Sequence, residues 1–262
     1  MELLPVSEIR VDFNKINRIK KTLKSTFRLI TYSREHLADD LLNTYLSSTT
    51  NLQQLMSIKN AQMEAQNDDE AKLYLDGLNK TMAMITDEIK HSIDFSTEVQ
   101  SFQLFRSISP ESHIEHPNHY RDKLVQIGQY ICPEPKEVPS LVSQLFYNMN
   151  GIEEPLIRAI YFHHELIRIH PFSDGNGRTI RIAKNWMLMY NLYPPIFIRN
   201  DEEKKVYIKT LSNSFSTLNK CPGKWNSNLD DFFDQEISRM QHNASLIFES
   251  VKSLGEKRAS NE

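Results

Sequence analysis

The apolar positions of the chain recur mostly at spacings of three and four residues, the period of an amphipathic helix. Over residues 14–30, one face of such a helix carries Ile16, Ile19, Leu23, Phe27 and Ile30. The same pattern predicts helices over 37–66, with a break near 47–51, and over 71–92. Runs of alternating apolar and polar residues, which would indicate strands, are few. A mainly helical protein is therefore predicted.

Two later segments extend this picture. Residues 121–131 alternate imperfectly around Gly128 and are followed by prolines, which favours a short β-hairpin. A helix is predicted to start at Val138, because the next residue is a proline, which suits a first helical turn. The following helix is predicted from near Glu153 to residue 170, with a stripe made of Leu156, Ile160, His163, Ile167 and His170.

Composition narrows the class of protein. Of the 262 residues, 39% are hydrophobic and 25% are charged, which is ordinary for a soluble globular chain. The net charge of −3 gives no electrostatic reason to expect a nucleic-acid partner. No apolar run approaches the roughly 18 residues of a membrane span, and the N-terminus is too polar for a signal peptide. We expect a cytoplasmic protein with no membrane partner and with Cys132 and Cys221 reduced, although a secreted effector with a non-cleaved signal would look the same.

The segment HPFSDGNGRTIR, residues 170–181, carries two of the seven glycines of the chain. A β-hairpin turn is unfavourable there, because both flanks have helical rather than alternating patterns. A calcium loop counted from Asp174 would need glycine at Thr179 and glutamate at Asn185, so that assignment fails. A plain connection between two helices remains an alternative.

The residue types in this segment also fit phosphate chemistry. The glycines allow backbone N–H groups to point inward as an anion-binding nest at the start of a helix. Arg178 and Arg181 are three residues apart, so both can reach the same anion from one helix face. Asp174 is placed to hold Mg²⁺, and His170 could accept a proton from an incoming hydroxyl. These are the parts that phosphoryl or nucleotidyl transfer requires.

The segment resembles the Fic family motif HxFx(D/E)GNGRxxR at every defined position. Three further stretches are similar to family segments: 120–135 to the flap on which target proteins dock, AIYFHHELIRIHPF to the helix that leads into the motif, and 190–199 to the segment after it. The resemblance covers roughly residues 95–236. It implies an all-α Fic-fold bundle (95–236) with a short β-hairpin flap, an N-terminal helical region (1–94) with a regulatory role, and a C-terminal helix and tail (237–262).

The resemblance also implies a reaction, namely transfer of AMP from Mg²⁺-bound ATP to a Ser, Thr or Tyr hydroxyl of a target protein. His170 would be the general base and Asp174 the magnesium ligand. The phosphates would be held by Gly175, Asn176, Gly177, Arg178 and Arg181. Weaker nucleotide or flap contacts are expected from Gly128, Gln129, Tyr130, Ile131 and Tyr207. Self-modification and homodimerisation are further family traits.

Many family members carry an inhibitory helix with the pattern (S/T)xxxE(G/N), whose glutamate pairs with the second motif arginine. Two stretches here come close to it. One places Glu35 before His36, and the other places Glu249 before Ser250, so each departs from the pattern at its last position. We expect an autoinhibited enzyme and favour Glu35 over Glu249; control by a separate protein, or no internal inhibitor, remains open.

Alternatives to AMP transfer also remain. The same site could remove AMP from a protein or transfer phosphate, and a nucleotide-binding regulatory module without turnover is a third reading. The family resemblance does not name the target protein. Other histidines are predicted to be structural: Pro117 prevents one helix from aligning His113, His116 and His119 for zinc. His163 is predicted to be a packed, hydrogen-bonded residue, and Trp186 and Trp225 to lie in or near the core.

Overall fold

The computed structural model describes residues 1–32, 68–109, 119–198 and 200–259. In these ranges the chain forms eight α-helices: α1 (Phe13–Thr31), α2 (Asp68–Lys90), α3 (Glu98–Ile108), α4 (Val138–Asn150), α5 (Pro155–Ile169), α6 (Asn176–Tyr190), α7 (Asp201–Lys220) and α8 (Ser227–Ala259). The predicted all-α class is confirmed. None of the helices in these ranges is both long and apolar enough to cross a membrane.

Helix α5 lies at the centre of the bundle. Nearly every one of its side chains is buried, including the polar ones, so the helix is enclosed on all sides. Pro155 stands at its first turn, where a missing N–H costs nothing, and the side chain of Glu154 accepts the N–H of Leu156. Because α4 and α6 pack along α5, the central helix fixes the positions of both neighbours.

Aromatic side chains fill the space between these helices. Phe95 makes edge contacts with Phe162 of α5 and Trp186 of α6, at centroid distances of 5.2 and 5.5 Å. The indole N–H of Trp186 donates to the carbonyl of Ile93, so the buried ring leaves no donor unpaired. The prediction that Trp186 belongs to the core is confirmed. Trp225 is partly buried and packs against Phe233.

The first and last helices pack against each other. Asp12 caps α1 by accepting the N–H of Asn14, and the predicted stripe of this helix is buried except for Phe27, which is partly buried. At its far end Ile30 contacts Ile247 and Val251 of α8. Because α8 runs unbroken from Ser227 to Ala259, it passes through residue 236, where the Fic-like segment was predicted to end. The three-part division stays a prediction, and the predicted helices over 37–66 lie outside the described residues.

The predicted hairpin is present as two very short strands. Strand β1 (Gln126–Ile127) pairs antiparallel with β2 (Tyr130–Ile131), and Gly128 in the turn has φ of +59°. Such an angle favours glycine, because in any other residue the Cβ would lie too close to the backbone carbonyl oxygen. Outside the strands, Cys132 donates its N–H to the carbonyl of Val125, which closes the base of the hairpin. The hairpin therefore projects from the helices as a flap.

Buried charges tie α5 to the N-terminal segment. Glu165 is fully buried and accepts from the backbone N–H of Leu4 at 3.1 Å, from Arg168, and from the ring of His164. Burial acts to raise the pKa of Glu165, but Arg168 and His164 outweigh it and lower the pKa to about 2. The carboxylate is thus ionised in the folded state, and its stabilising effect is lost as pH falls from about 4.3 toward 2.

Replacing Glu165 with glutamine is expected to lower the free energy of unfolding by roughly 3–5 kcal/mol, because Arg168 is left buried without its ion-pair partner. Glu202, which pairs with Lys205 at the same i,i+3 spacing but is exposed, provides the matched control. Glu202→Gln should change stability by less than about 1 kcal/mol. Urea unfolding monitored by circular dichroism measures both. Equal effects of the two substitutions would contradict the buried network.

Candidate active site

The turn between α5 and α6 starts at His170, whose backbone is left-handed. Its φ and ψ are 52° and 62°, and its N–H donates to the carbonyl of Leu166 at 2.9 Å. A left-handed residue after the last helical turn is a common way to stop a helix, but glycine or asparagine usually takes that position. A histidine there bears roughly 1–2 kcal/mol of strain. The surrounding structure must impose this conformation, and the conformation in turn sets where the side chain of His170 lies.

The imidazole of His170 is neutral at physiological pH. Burial lowers the pKa of His170 to about 4; the carbonyl of Ile167 opposes this shift, and the positive charge of Arg121 adds to it. The carboxylate of Asp174 also acts on this ring, in the opposite direction. A neutral imidazole can accept a proton, which is the state that a general base requires.

Phe172 and Asn176 anchor the turn in the core. Phe172 is buried and stacks on Phe105 with centroids 4.3 Å apart and planes 3° from parallel. The side chain of Asn176 closes the turn from the other end: its Oδ1 accepts the N–H of Phe172 at 2.9 Å and its Nδ2 donates to the carbonyl of Phe172 at 2.8 Å. The amide of Asn176 thus braces the loop.

Gly175 is the N-cap of α6, directly before its first residue, and has a conformation that only glycine adopts easily. Its φ is +68°, and an added Cβ would lie 2.0 Å from Oγ of Ser109. Asp12, Thr97, Glu154 and Asn200 cap other helices of the bundle with their side chains, whereas the glycine at the start of α6 offers no such acceptor. A helix N-terminus without a capping side chain at its N-cap presents a positive end that can attract an anion.

Arg178 lies on the first turn of α6 and is almost fully buried. Its Nη2 is 3.4 Å from the carboxylate of Asp174, and its guanidinium lies over the ring of Tyr74 at 5.3 Å from the centroid. An added Cβ at Gly175 would approach Nη2 to 3.6 Å. The guanidinium is thus held beside the glycine nest by an aromatic face and a carboxylate.

Arg181 lies one turn further along and is partly exposed. A Cβ added at Gly177 would lie 2.9 Å from its Nη1, so the second guanidinium also borders a glycine of the nest. Tyr207 of α7, which is buried, hydrogen-bonds with Arg181, and its hydroxyl lies 2.9 Å from Nε2 of His163. The prediction that His163 is a packed, hydrogen-bonded residue is confirmed. The side chain of Tyr207 thus lies between those of Arg181 and His163.

The other expected contacts lie on the flap. Gly128 and Gln129 are exposed in the turn, and Ile131 is 60% exposed. Tyr130 points the other way: it is buried against Phe215, and its hydroxyl contacts the sulfur of Met1. One face of the flap is therefore open to another molecule, and the opposite face is part of the core.

The remaining sequence candidates are only partly covered by the structure. Glu35, His113 and His116 lie outside the described residues. Glu249 is exposed on α8, on the same helix as the residues that pack against α1. Among the described residues there is no cluster of three or more histidine, cysteine or acidic side chains that could hold a metal ion.

Three residues near the turn escaped sequence-based reasoning. Arg121 donates to the carbonyl of His170 at the start of the turn, Tyr74 lies under Arg178, and Ser109 occupies the space that a Cβ at Gly175 would need. None of them belongs to the motif, and each is brought to it by tertiary packing across at least 49 residues of sequence. Arg121 lies within residues 120–135, which were predicted as the flap, but no local pattern signals that a cation there faces carbonyl groups.

Comparison with known proteins shows which proteins the chain is similar to. The model of the Fic/DOC family matches residues 31–188. A protein adenylyltransferase Fic of Culex quinquefasciatus is 30% identical over 135 residues, which is 50% of this chain and 27% of the relative. One from Drosophila persimilis is 35% identical over 92 residues, 34% of this chain and 18% of the relative. The chain thus spans about a quarter or less of these relatives' length.

Solved structures with the same fold extend over most of the chain. A Fic domain-containing signaling protein of Bacteroides thetaiotaomicron superposes with a TM-score of 0.64 at 20% identity, covering 90% of this chain and 98% of the other. Fic-1 of C. elegans (residues 134–508) gives a TM-score of 0.58 at 17% identity, with 90% and 72% covered. The turn, the helices around it and the matched family model lead to one conclusion: the chain belongs to the Fic/DOC family.

Proposed function

We propose that this protein transfers AMP from ATP to a Ser, Thr or Tyr hydroxyl of a target protein and releases pyrophosphate. One observation carries the proposal. The turn between α5 and α6 brings the neutral, buried imidazole of His170 together with Gly175 and Gly177, and the guanidiniums of Arg178 and Arg181 flank these glycines. The name that the curated relatives share, protein adenylyltransferase, supports the same reaction.

The proposed chemistry is a displacement at the α-phosphorus of ATP. His170 accepts the proton of the target hydroxyl as its oxygen forms a bond to that phosphorus, and the bond to the bridging oxygen of the β-phosphate breaks. The electron pair of that bond leaves with pyrophosphate. Since His170 is already neutral, the base needs no prior deprotonation near pH 7.

The nest and the arginines would hold the leaving group. The N–H groups at the start of α6 and the guanidiniums of Arg178 and Arg181 border the same two glycines, so they form one positive surface. Clamping the outer phosphates there leaves the α-phosphate toward His170 and lets pyrophosphate depart in line. A transition state that builds charge on the leaving oxygens is stabilised by such fixed donors.

Mg²⁺ is the metal that this chemistry implies, and the donor set fits it. Asp174 is exposed, with one carboxylate at the edge of the nest, and Mg²⁺ typically takes one or two carboxylates together with substrate phosphates and water. When bound, the ion would neutralise charge on the phosphates. The part of this chain is to hold it through Asp174 beside Arg178.

Incubation of the purified protein with Mg²⁺ and ATP labelled on either the α- or the γ-phosphate tests the reaction, with self-modification or an added target as the readout. Label from the α-position only is expected, because AMP is the group that is transferred. His170→Ala should reduce this labelling by at least about 100-fold, since a general base contributes roughly that much or more.

Exposed His242 gives the matched control, and His242→Ala should label at the native rate. Label from the γ-position would show phosphate transfer instead. Labelling from neither position by native protein and by variants freed of inhibition, with nucleotide still bound, would favour a binding module. Normal α-labelling by His170→Ala would overturn the assigned base.

The acid–base behaviour of His170 can be measured directly. We expect its ring signals in NMR, assigned by their loss in His170→Ala, to titrate near pH 4 rather than near 6.5. Because the folded pKa is lowered, the unfolded chain binds this proton more readily, so the native state loses stability as pH falls from about 6.5 toward 4, while the folded base stays neutral above about pH 4. A midpoint near 6.5 would contradict the buried, neutral base.

We further propose that the enzyme is autoinhibited through Arg181. A glutamate can compete with the γ-phosphate for this guanidinium, because both present oxygens that match its fork of donors. Glu35 is favoured by its place in the N-terminal region; Glu249 lies exposed on α8.

Glu35→Gly is therefore expected to raise α-labelling several-fold, whereas Glu249→Gly should leave it near the native rate. The rate of self-labelling under identical ATP concentrations measures both variants. A rise in Glu249→Gly alone would transfer the role to that residue, and no rise in either would remove internal inhibition from the account.

A further inference from the structure

Arg121 lies just before the flap and is buried beside the turn that carries His170. Its Nε donates to the carbonyl of His170 at 2.7 Å, and its backbone N–H donates to the carbonyl of Pro171 at 2.9 Å. One residue thus holds two successive carbonyls of the turn. Because peptide groups are planar, fixing these carbonyls also fixes the direction in which the chain leaves His170.

The remaining nitrogens of the guanidinium contact both ends of the flap. Nη1 donates to the carbonyl of Lys123 at 2.8 Å, and Nη2 donates to the carbonyl of Pro133 at 2.6 Å. Nη2 also lies 3.3 Å from the carbonyl of Ile169, the last residue of α5. Lys123 precedes β1 and Pro133 follows β2, so both ends of the hairpin meet the cation that holds the base.

This arrangement is costly for a residue with only a packing role. Within the described residues Arg121 makes no ion pair, and burial lowers its pKa, as expected for a cation withdrawn from water. Hydrogen bonds to neutral carbonyls and the nearby negative charge of Glu134 offset that cost. A planar guanidinium can bond four carbonyls in several directions at once, which the single ammonium of a lysine cannot do.

The hydrogen bond from Arg121 to the carbonyl of His170 helps to hold the left-handed backbone of that residue. A strained conformation persists only where the surroundings over-determine it, and the bond from Nε of Arg121 is made to the carbonyl of that same residue. The charge of Arg121 also acts on the imidazole, adding to the effect of burial. Loss of the guanidinium would release both the turn and the flap.

We propose that Arg121 is a positioning residue that locks the backbone of His170 and couples it to the flap, so that a target docked on the flap presents its hydroxyl to a base held in register. Its catalytic consequence rests on the proposed AMP transfer. The coupling between flap and turn is a property of the native fold and can be measured without activity.

Arg121→Lys and Arg121→Gln test the proposal, with Arg106→Gln on the exposed face of α3 as the control. The maximal rate of α-labelling should fall about 10- to 100-fold, because displacement of a catalytic group by about 1 Å has effects of that size. The KM for ATP should change less than about twofold, since Arg121 bonds the turn and the flap and not the nest. The NMR signals of the His170 ring should shift in both variants and stay in place in the control.

Native rates together with native His170 signals in folded variants would overturn the proposal. So would a rise in KM for ATP at an unchanged maximal rate, which would assign Arg121 to the nucleotide site. If neither variant folds, the native protein decides the question. There the Nε–H of Arg121 should exchange slowly with solvent and its Nη signals should be resolved; rapid exchange and averaging like those of exposed Arg106 would overturn the lock.

The same measurements separate this proposal from the reaction itself. Absence of α-label in native protein and in inhibitor-free variants would refute AMP transfer. The His170 and Arg121 signals would still support or refute the coupling.

Discussion

The site depends on a single constraint, the reversal of the chain between α5 and α6 within the residues from His170 to Gly175. Both ends of that turn are left-handed, with φ of 52° at His170 and 68° at Gly175. The first stops the central helix and leaves an imidazole at its end, and the second starts a helix that has no capping side chain at its N-cap. A base and an anion nest therefore arise from the same backbone feature.

This turn is maintained from three sides. Phe172 stacks on Phe105 beneath it, and the side chain of Asn176 closes it with two hydrogen bonds. Arg121 holds its first carbonyls and carries the connection on to the flap. Because the surrounding helices are packed through large aromatic side chains, the strain at His170 is held by the core rather than by local preference.

Sequence reasoning reached the helices, the hairpin and the motif because each has a local signal: a period of three to four residues, a glycine between alternating residues, or twelve consecutive letters. It expected a helix to start at the glycines of the motif, and the structure has α6 starting at Asn176. It could not find Arg121, Tyr74 or Ser109, because their roles arise only when distant segments meet. The contact between Tyr207 and Arg181 was likewise beyond it, since a buried phenol and a solvent-facing one look alike in sequence.

The central claim is that the turn is a preformed site for the phosphates of ATP, with His170 toward the α-phosphate. A crystal structure with Mg²⁺ and a non-hydrolysable ATP analogue tests it most directly. The account predicts the outer phosphates against the N–H groups of Gly175 to Gly177, guanidinium contacts from Arg178 and Arg181, and the imidazole nearest the α-phosphorus. Nucleotide bound elsewhere, or a γ-phosphate rather than an α-phosphate beside His170, would contradict it.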